Sequence, residues 1–332
     1  MDDGHERLLE MARGYRPSQV LITCAVLGVF DALAEGGKTA SALAEALAVD
    51  LAALTRLLNA ATALGLLERA GETYANAPAT AVCFARESDG YLGNLLRREA
   101  AFYARWSHLA EAVRTGRRPE PSRAMENAHD WVRGFTYALY DWARLAAPAV
   151  ADALNLADDV PWRVLDVGGG HGGYSIALAR RYPHLRATLF DLPSVVEVAR
   201  EIIGATDVAD RISLRAGDFL VDDLGRDYDL ALVFGVLVSE PAERRVALLR
   251  RVHQALKPGG LLVVREMIAN DDGLGPAEAL LFDLQMLLST ESGGVLRSSV
   301  LMAEICAAGY ADVEIRPLSP PGLSAMWLAR RP

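Results

Sequence analysis

One stretch limits what this chain can fold into more than any other. Val164-Leu165-Asp166-Val167 is an apolar run rich in β-branched residues, and it leads directly into Gly168-Gly169-Gly170-His171-Gly172-Gly173. Tyr174 to Arg180 then places apolar residues at helical spacing. Strand, tight turn and helix in that order open a doubly wound α/β sheet. The glycines admit positive φ and let a ligand press on bare backbone, while the following helix presents unsatisfied N–H groups. The turn is therefore expected to hold a ligand at the carboxyl edge of the sheet.

The 332 residues favour two domains. Before the glycine turn, residues 16–35 read as a helix that stops at Gly36-Gly37. Thr39 and Asp50 stand as N-cap candidates for two more helices, and Leu64 to Asn76 reads as a hairpin about Gly71. Three helices and a hairpin make a winged helix. A DNA-reading helix needs phosphate contacts, yet Asp50 to Leu64 carries one basic residue, Arg56, among Ala and Leu. The net charge of −9 points the same way, so no nucleic-acid partner is expected, and the Ala/Leu surplus suits packing between subunits. Val20 to Phe30 is too short to span a bilayer, and the polar start Met1 to Arg7 does not read as a signal peptide. Cys24, Cys83 and Cys306 are far apart and lack metal-ligand spacing, which suits free thiols in a cytoplasmic protein without a metal.

Residues 91–154 continue as helix, interrupted at Gly116 to Pro121, and concentrate aromatics including Tyr103, Trp106, Phe135 and Trp142. Those four are candidates for the wall of a cavity that takes a planar ligand. Asp158-Asp159-Val160-Pro161 reads as a linker, dividing a helical domain at 1–158 from an α/β domain at 159–332. In the second domain seven strands are expected, at 163–167, 186–190, 212–216, 230–234, 260–266, 313–317 and 325–329. With helices between them they imply a mainly parallel sheet.

Ligands bind where such strands end. The second strand ends at Asp191-Leu192, a carboxylate suited to ribose hydroxyls. The third leads to Gly217-Asp218-Phe219, an acceptor beside a ring that can cover adenine. The fourth ends at Phe234-Gly235. With Asp166, Gly168 and Gly170 these residues form an expected adenine-nucleoside pocket. A dinucleotide-binding dehydrogenase is the rival, but no second mononucleotide unit follows and a bulky helical domain precedes.

Val164-Leu-Asp-Val-Gly-Gly-Gly-His-Gly172, Phe190-Asp-Leu-Pro193, Gly217-Asp-Phe219 and Leu256-Lys-Pro-Gly-Gly260 resemble class I S-adenosylmethionine-dependent methyltransferases. The match is to plant-type small-molecule O-methyltransferases, such as the caffeic acid and acetylserotonin enzymes and their bacterial natural-product relatives. The resemblance implies a Rossmann-like seven-stranded methyltransferase domain behind a mainly α-helical winged-helix dimerisation domain, hence a homodimer. It implies S-adenosylmethionine as cofactor, with the methionine part on Gly168 to Gly170, the ribose on Asp191 and the adenine by Asp218 and Phe219.

The chain departs from that family at the base. Val238 and Ser239 stand where the family has a His-Asp pair, and Leu296 stands where it has a glutamate; a further glutamate position matches Glu266. Glu266, His129 and Arg297 are the remaining catalytic candidates, Arg297 as a bidentate partner for an acidic substrate group. A positioned base contributes about 10²–10⁴-fold, whereas orientation can supply roughly 7–11 kcal/mol. Methyl transfer to a hydroxyl of an aromatic or polyketide-like compound, driven by proximity, is the leading reading. C- or N-methyl transfer, or a non-methylating hydroxylation, decarboxylation or cyclisation, stays open. The segment Phe282 to Leu287 and Gly293 to Arg297 resembles the anthracycline-type branch that lacks the histidine. It adds Asp283 and Met286 as candidate substrate contacts.

Overall fold

A computed structural model of the chain describes residues 3–86, 88, 90–119, 128–318 and 324–332. The chain divides into two compact units, Met1–Tyr103 and Ala104–Pro332. The boundary read at 158/159 marks where the chain enters the large sheet; by compactness the helices from Ala104 onward group with that sheet.

The first unit begins with helices α1 (Asp3–Arg13), α2 (Tyr15–Leu27) and α3 (Val29–Ala32). The single helix expected over 16–35 is broken at Gly28, which adopts φ +79°. Strand β1 (Lys38–Thr39), helices α4 (Ala40–Leu47) and α5 (Leu51–Ala63), and the hairpin β2 (Leu67–Ala70) and β3 (Thr73–Asn76) follow. Both expected caps form: Thr39 Oγ1 accepts from Ala42 N at 3.2 Å and Asp50 Oδ1 from Ala53 N at 2.7 Å. Phe30, Leu43, Leu58, Leu67 and Tyr74 fill the core of this unit. Helices α6 (Pro78–Phe84) and α7 (Gly93–Trp106) complete it, the division falling within the last turn of α7.

The second unit continues with α8 (Leu109–Thr115) and the 27-residue α9 (Ala128–Leu154). Of the break expected at 116–121, residues 120 and 121 lie outside the described residues. Strand β4 (Arg163–Val167), α10 (Gly173–Arg181), β5 (Arg186–Asp191), α11 (Pro193–Gly204), β6 (Ile212–Ala216) and β7 (Tyr228–Phe234) then alternate. They are followed by α12 (Ala242–Ala255), β8 (Leu256–Ala269), α13 (Ala277–Ser289), β9 (Leu296–Arg297), α14 (Ser298–Ala307), β10 (Ala311–Pro317) and β11 (Ser324–Arg330). The strand order is β10-β11-β8-β7-β4-β5-β6, with β9 paired to β8 beside this path. Strands β4 to β8 are parallel, and β11 runs antiparallel against both β8 and β10. Lys257 to Gly260, ahead of the strand expected at 260–266, is built into β8, with an irregular register against β7.

Alternation along the strands sorts the core into two layers. Leu230, Leu232, Leu261 and Val263 face one side, against α9, α10 and α11. Ala231, Val233, Leu262 and Val264 face the other, against α12 and α14. The chain reverses its strand order beside β4, and that crevice lies above Gly168.

Candidate active site

The turn after β4 is tied down from several sides. Gly168 has φ +64°, and its N donates to Phe190 O at 2.8 Å. A Cβ there would approach Val236 Cγ2 to 2.6 Å, whereas at Gly170 nothing but Gly168 O, 3.9 Å away, would meet it. Bare backbone at Gly170 thus leaves room for a ligand to lie on the chain. Gly170 N donates to Asp191 Oδ2 at 2.8 Å, and Leu192 N donates to Asp191 Oδ1 at 2.7 Å. Burial raises the Asp191 pKa, and these two backbone donors oppose the shift. Each oxygen keeps a lone pair for a hydroxyl donor.

Asp166, at the end of β4, is buried and accepts from Ser175 Oγ at 2.6 Å. Burial pushes its pKa up to about 6, against the Ser175 hydrogen bond. His171 is also buried, and its Nδ1 accepts from Gly173 N at 2.9 Å. Burial lowers its pKa to about 4, so the ring is neutral at pH 7 and carries its proton on Nε2.

At the next strand ends, Leu220 N donates to Asp218 Oδ1 at 2.8 Å, and Asp218 N donates to Asp222 Oδ2 at 2.8 Å. The Phe219 ring borders the turn: its Cε1 would lie 3.8 Å from a Cβ at Gly168. Phe234 meets Tyr174 edge-on at 4.9 Å, and Gly235 turns the chain with φ +67°. Asp166, Gly168, Gly170, Asp191, Leu192, Asp218, Phe219, Phe234 and Gly235 therefore share one edge, contributed by β4 to β7.

The three catalytic candidates do not converge. Glu266 is 2% exposed, and its Oε1 accepts from Leu237 N at 2.7 Å. Burial pushes its pKa up to about 8, against hydrogen bonds from the backbone of Leu237, Val236 and Val238. Its Oε2 is buried without a partner among the described residues. Glu266 thus braces the short 3-10 turn Leu237–Ser239, which carries the 3%-exposed Val238. His129 is on the outside of α9, 68% exposed and 3.6 Å from Asp130. Arg297 is exposed beside Gly273 and Asp271.

The aromatic candidates separate as well. Trp106 Nε1 donates to Gln285 Oε1 at 2.6 Å; Gln285 Nε2 and Arg105 Nη1 both donate to Ser289 Oγ, at 2.6 and 2.8 Å. Phe135 stacks on Trp131 at 5.7 Å, and Met286 packs with Phe282 against the layer containing Val238. Asp283 is exposed and accepts from Val295 N at 2.7 Å. Trp142 is exposed on α9, and Tyr103 is an exposed residue of the first unit. Gln285, Tyr174 and Arg265 escape the sequence reading, although a lone Gln in Leu284-Gln285-Met286 and a lone Arg in Val263-Val264-Arg265 were visible signals.

A cleft of about 690 Å³ opens at the opposite, amino edge of β7 and β8. There Arg251 donates to Phe219 O, Arg331 to His253 O, and Lys257 pairs with Asp229 at 2.6 Å, so these cations are already engaged. Among the described residues no three His, Cys, Asp or Glu side chains gather as a metal site requires, and no helix is long and apolar enough to cross a membrane.

Residues 106–311 match the O-methyltransferase domain profile, and residues 9–86 match the O-methyltransferase dimerisation domain. The chain is 33% identical to the tetracenomycin polyketide synthesis 8-O-methyl transferase TcmO of Streptomyces glaucescens, over 98% of this chain and 96% of that protein. It is 33% identical to the 3-hydroxy-5-methyl-1-naphthoate 3-O-methyltransferase of Streptomyces sahachiroi, over 85% of this chain and 83% of that one. Among solved structures, human N-acetylserotonin methyltransferase in complex with SAM superposes with a TM-score of 0.88 at 27% identity, covering 100% of this chain and 98% of that one.

Proposed function

This chain belongs to the O-methyltransferase family, and on that footing we propose that it methylates a hydroxyl of a small aromatic, polyketide-like acceptor. The methyl donor is S-adenosylmethionine, and the coproduct is S-adenosylhomocysteine. The observation that carries the reading is the Gly170–Asp191 tie, which leaves an open backbone cradle beside a carboxylate at the switch point of the sheet.

When bound, S-adenosylmethionine supplies an electrophilic methyl group on a positively charged sulfur. Asp191 accepts from the ribose hydroxyls, Asp218 and Phe219 bracket the adenine, and Leu192 and Phe234 border the cradle. Gly168, Gly170 and Gly235 give close approach of backbone, and buried Asp166 faces the amino-acid end. Trp106, Phe135, Met286 and Val238 are assigned to the acceptor's wall, with Trp142 and Asp283 as outer contacts.

With Val238 at the turn, no imidazole takes the acceptor's proton there. Glu266 is a positioning residue in this scheme, since its carboxyl holds the turn through backbone N–H groups. A phenol of pKa about 10 pays roughly 4 kcal/mol to ionise at pH 7, at 1.36 kcal/mol per unit. Orientation can supply roughly 7–11 kcal/mol, so proximity outweighs the missing base. Arg297 and His129 stand ready only for charged groups at the surface. The N-terminal unit serves as the dimer contact of a homodimer, a reading supported by its dimerisation-domain match.

The test is methyl transfer from labelled S-adenosylmethionine to a series of naphthols of graded acidity. Rates are expected to rise as the acceptor pKa falls toward the assay pH. A rate indifferent to acceptor acidity would remove the base-free mechanism, and cofactor binding without any transfer would favour a non-methylating reaction.

A further inference from the structure

Arg265 follows the apolar run Leu261 to Val264 in β8, and the next residue, Glu266, points to the other side of the sheet. Arg265 faces the same side of the sheet as Leu261 and Val263, and its register partner across β7 is Phe234. Its Nη1 donates to the Tyr174 hydroxyl at 2.7 Å, and its Cζ is 5.6 Å from the centre of the Tyr174 ring. Its Nε is buried with no partner among the described residues. Leaving a guanidinium donor buried and unused is unfavourable unless an acceptor meets the group in the working state of the protein.

Position tells which acceptor. Tyr174 follows the glycine turn directly, and the Asp166 carboxyl is near enough to act on its hydroxyl electrostatically. Through Tyr174, Arg265 reaches the start of the helix that follows Gly168 to Gly170, and the same hydroxyl feels the Asp166 carboxyl of β4. Those are opposite charges, as a zwitterion requires. Of the assigned acceptor wall, Val238 and Met286 pack with the other layer of the sheet, away from the face that carries Arg265.

Resting on the reading of S-adenosylmethionine as donor, we propose that Arg265, steadied by Tyr174, binds the carboxylate of the donor's amino-acid end. The bidentate fork of arginine suits a carboxylate, and an ionised pair of this kind is among the stronger hydrogen bonds.

Calorimetry on the full chain compares S-adenosylhomocysteine with its decarboxylated analogue, S-adenosyl-3-thiopropylamine. The unaltered protein is expected to prefer the carboxylated ligand by about tenfold or more. Arg265→Gln should bring that preference close to one, and Arg265→Lys should restore part of it. A preference that survives Arg265→Gln overturns the proposal. Should that variant not fold, Tyr174→Phe is read in the same way: a narrowed preference supports the assignment and an unchanged one overturns it. If the guanidinium serves an acidic acceptor instead, Arg265→Gln will keep the preference and lose discrimination between 1-naphthoate and 1-naphthamide, which also overturns the proposal. Unaltered protein that binds neither nucleoside ligand refutes the donor reading itself, and that result is distinct from a lost preference.

Discussion

Asp191 does two jobs with one carboxylate, anchoring the turn through Gly170 N and Leu192 N while keeping lone pairs for a ligand. Asp191→Ala is therefore expected to weaken S-adenosylhomocysteine binding by about 1.5–3 kcal/mol, through lost hydrogen bonds to a charged group. Calorimetry at fixed salt measures it, and an unchanged affinity takes Asp191 out of the site. Glu266 and Asp166 set a pH dependence. Each folded-state pKa is raised, to about 8 and about 6, from ordinary values of 4.5 and 3.8. Between the ordinary and raised values the folded protein binds more protons than the unfolded chain, so stability falls as pH rises. Asp166 starts the fall from about 3.8 and Glu266 joins it from 4.5; His171, lowered by burial from 6.5 to about 4, opposes them up to 6.5, and from there to about 8 the fall is that of Glu266, after which it levels off. Thermal midpoints of the ligand-free protein should show this, and Glu266→Gln should flatten the upper part. An unaltered slope in that variant would mean that Glu266 is not the group titrating. The sequence pointed to Glu266 as a catalytic candidate because it cannot show that the backbone N–H of Leu237, 29 positions earlier, meets that carboxyl.

At the level of elements, the carboxyl edge of the sheet depends on how α12 and α14 cover its second face. Glu304 of α14 is buried and Arg245 of α12 is partly buried against it, with Arg245 Nε 2.8 Å from Glu304 Oε2. Removing one partner strands a buried charge. Arg245→Met should cost about 3–5 kcal/mol, while Arg245→Met with Glu304→Leu should recover most of that loss. Urea unfolding of the single and double variants decides it; equal losses in both would show that packing, not charge, holds the pair. The strands themselves were legible. Alternating strand and helix patterns, glycine turns and N-cap residues located all seven strands of the main path and both caps at Thr39 and Asp50. Gly28 was passed over because an isolated glycine in a helical run is tolerated, and only packing decides whether it breaks the helix.

At the level of the whole molecule, α1 presents Leu8 at 67% exposure and Met11 at 71%, a surplus of apolar surface on the unit that matches a dimerisation domain. Sedimentation equilibrium should give twice the chain mass of 35.8 kDa, and Leu8→Glu with Met11→Glu should shift the population toward monomer. A dimer indifferent to that pair of changes would place the contact elsewhere in the unit. The same compactness that defines this unit groups residues 104–158 with the sheet, a boundary the sequence could not place because helical spacing is identical on both sides of Tyr103.

By itself the sequence determined the αβ alternation, the glycine turn, the acidic residues after successive strands and the absence of an imidazole at Val238. These depend on local spacing and residue type, which are written along the chain. The tertiary structure alone decided that His171 is buried and neutral, that Glu266 braces a turn, and that Arg265 reaches Tyr174 across 91 positions of sequence. Burial and long-range hydrogen bonding set those roles, and both arise only once distant strands lie side by side.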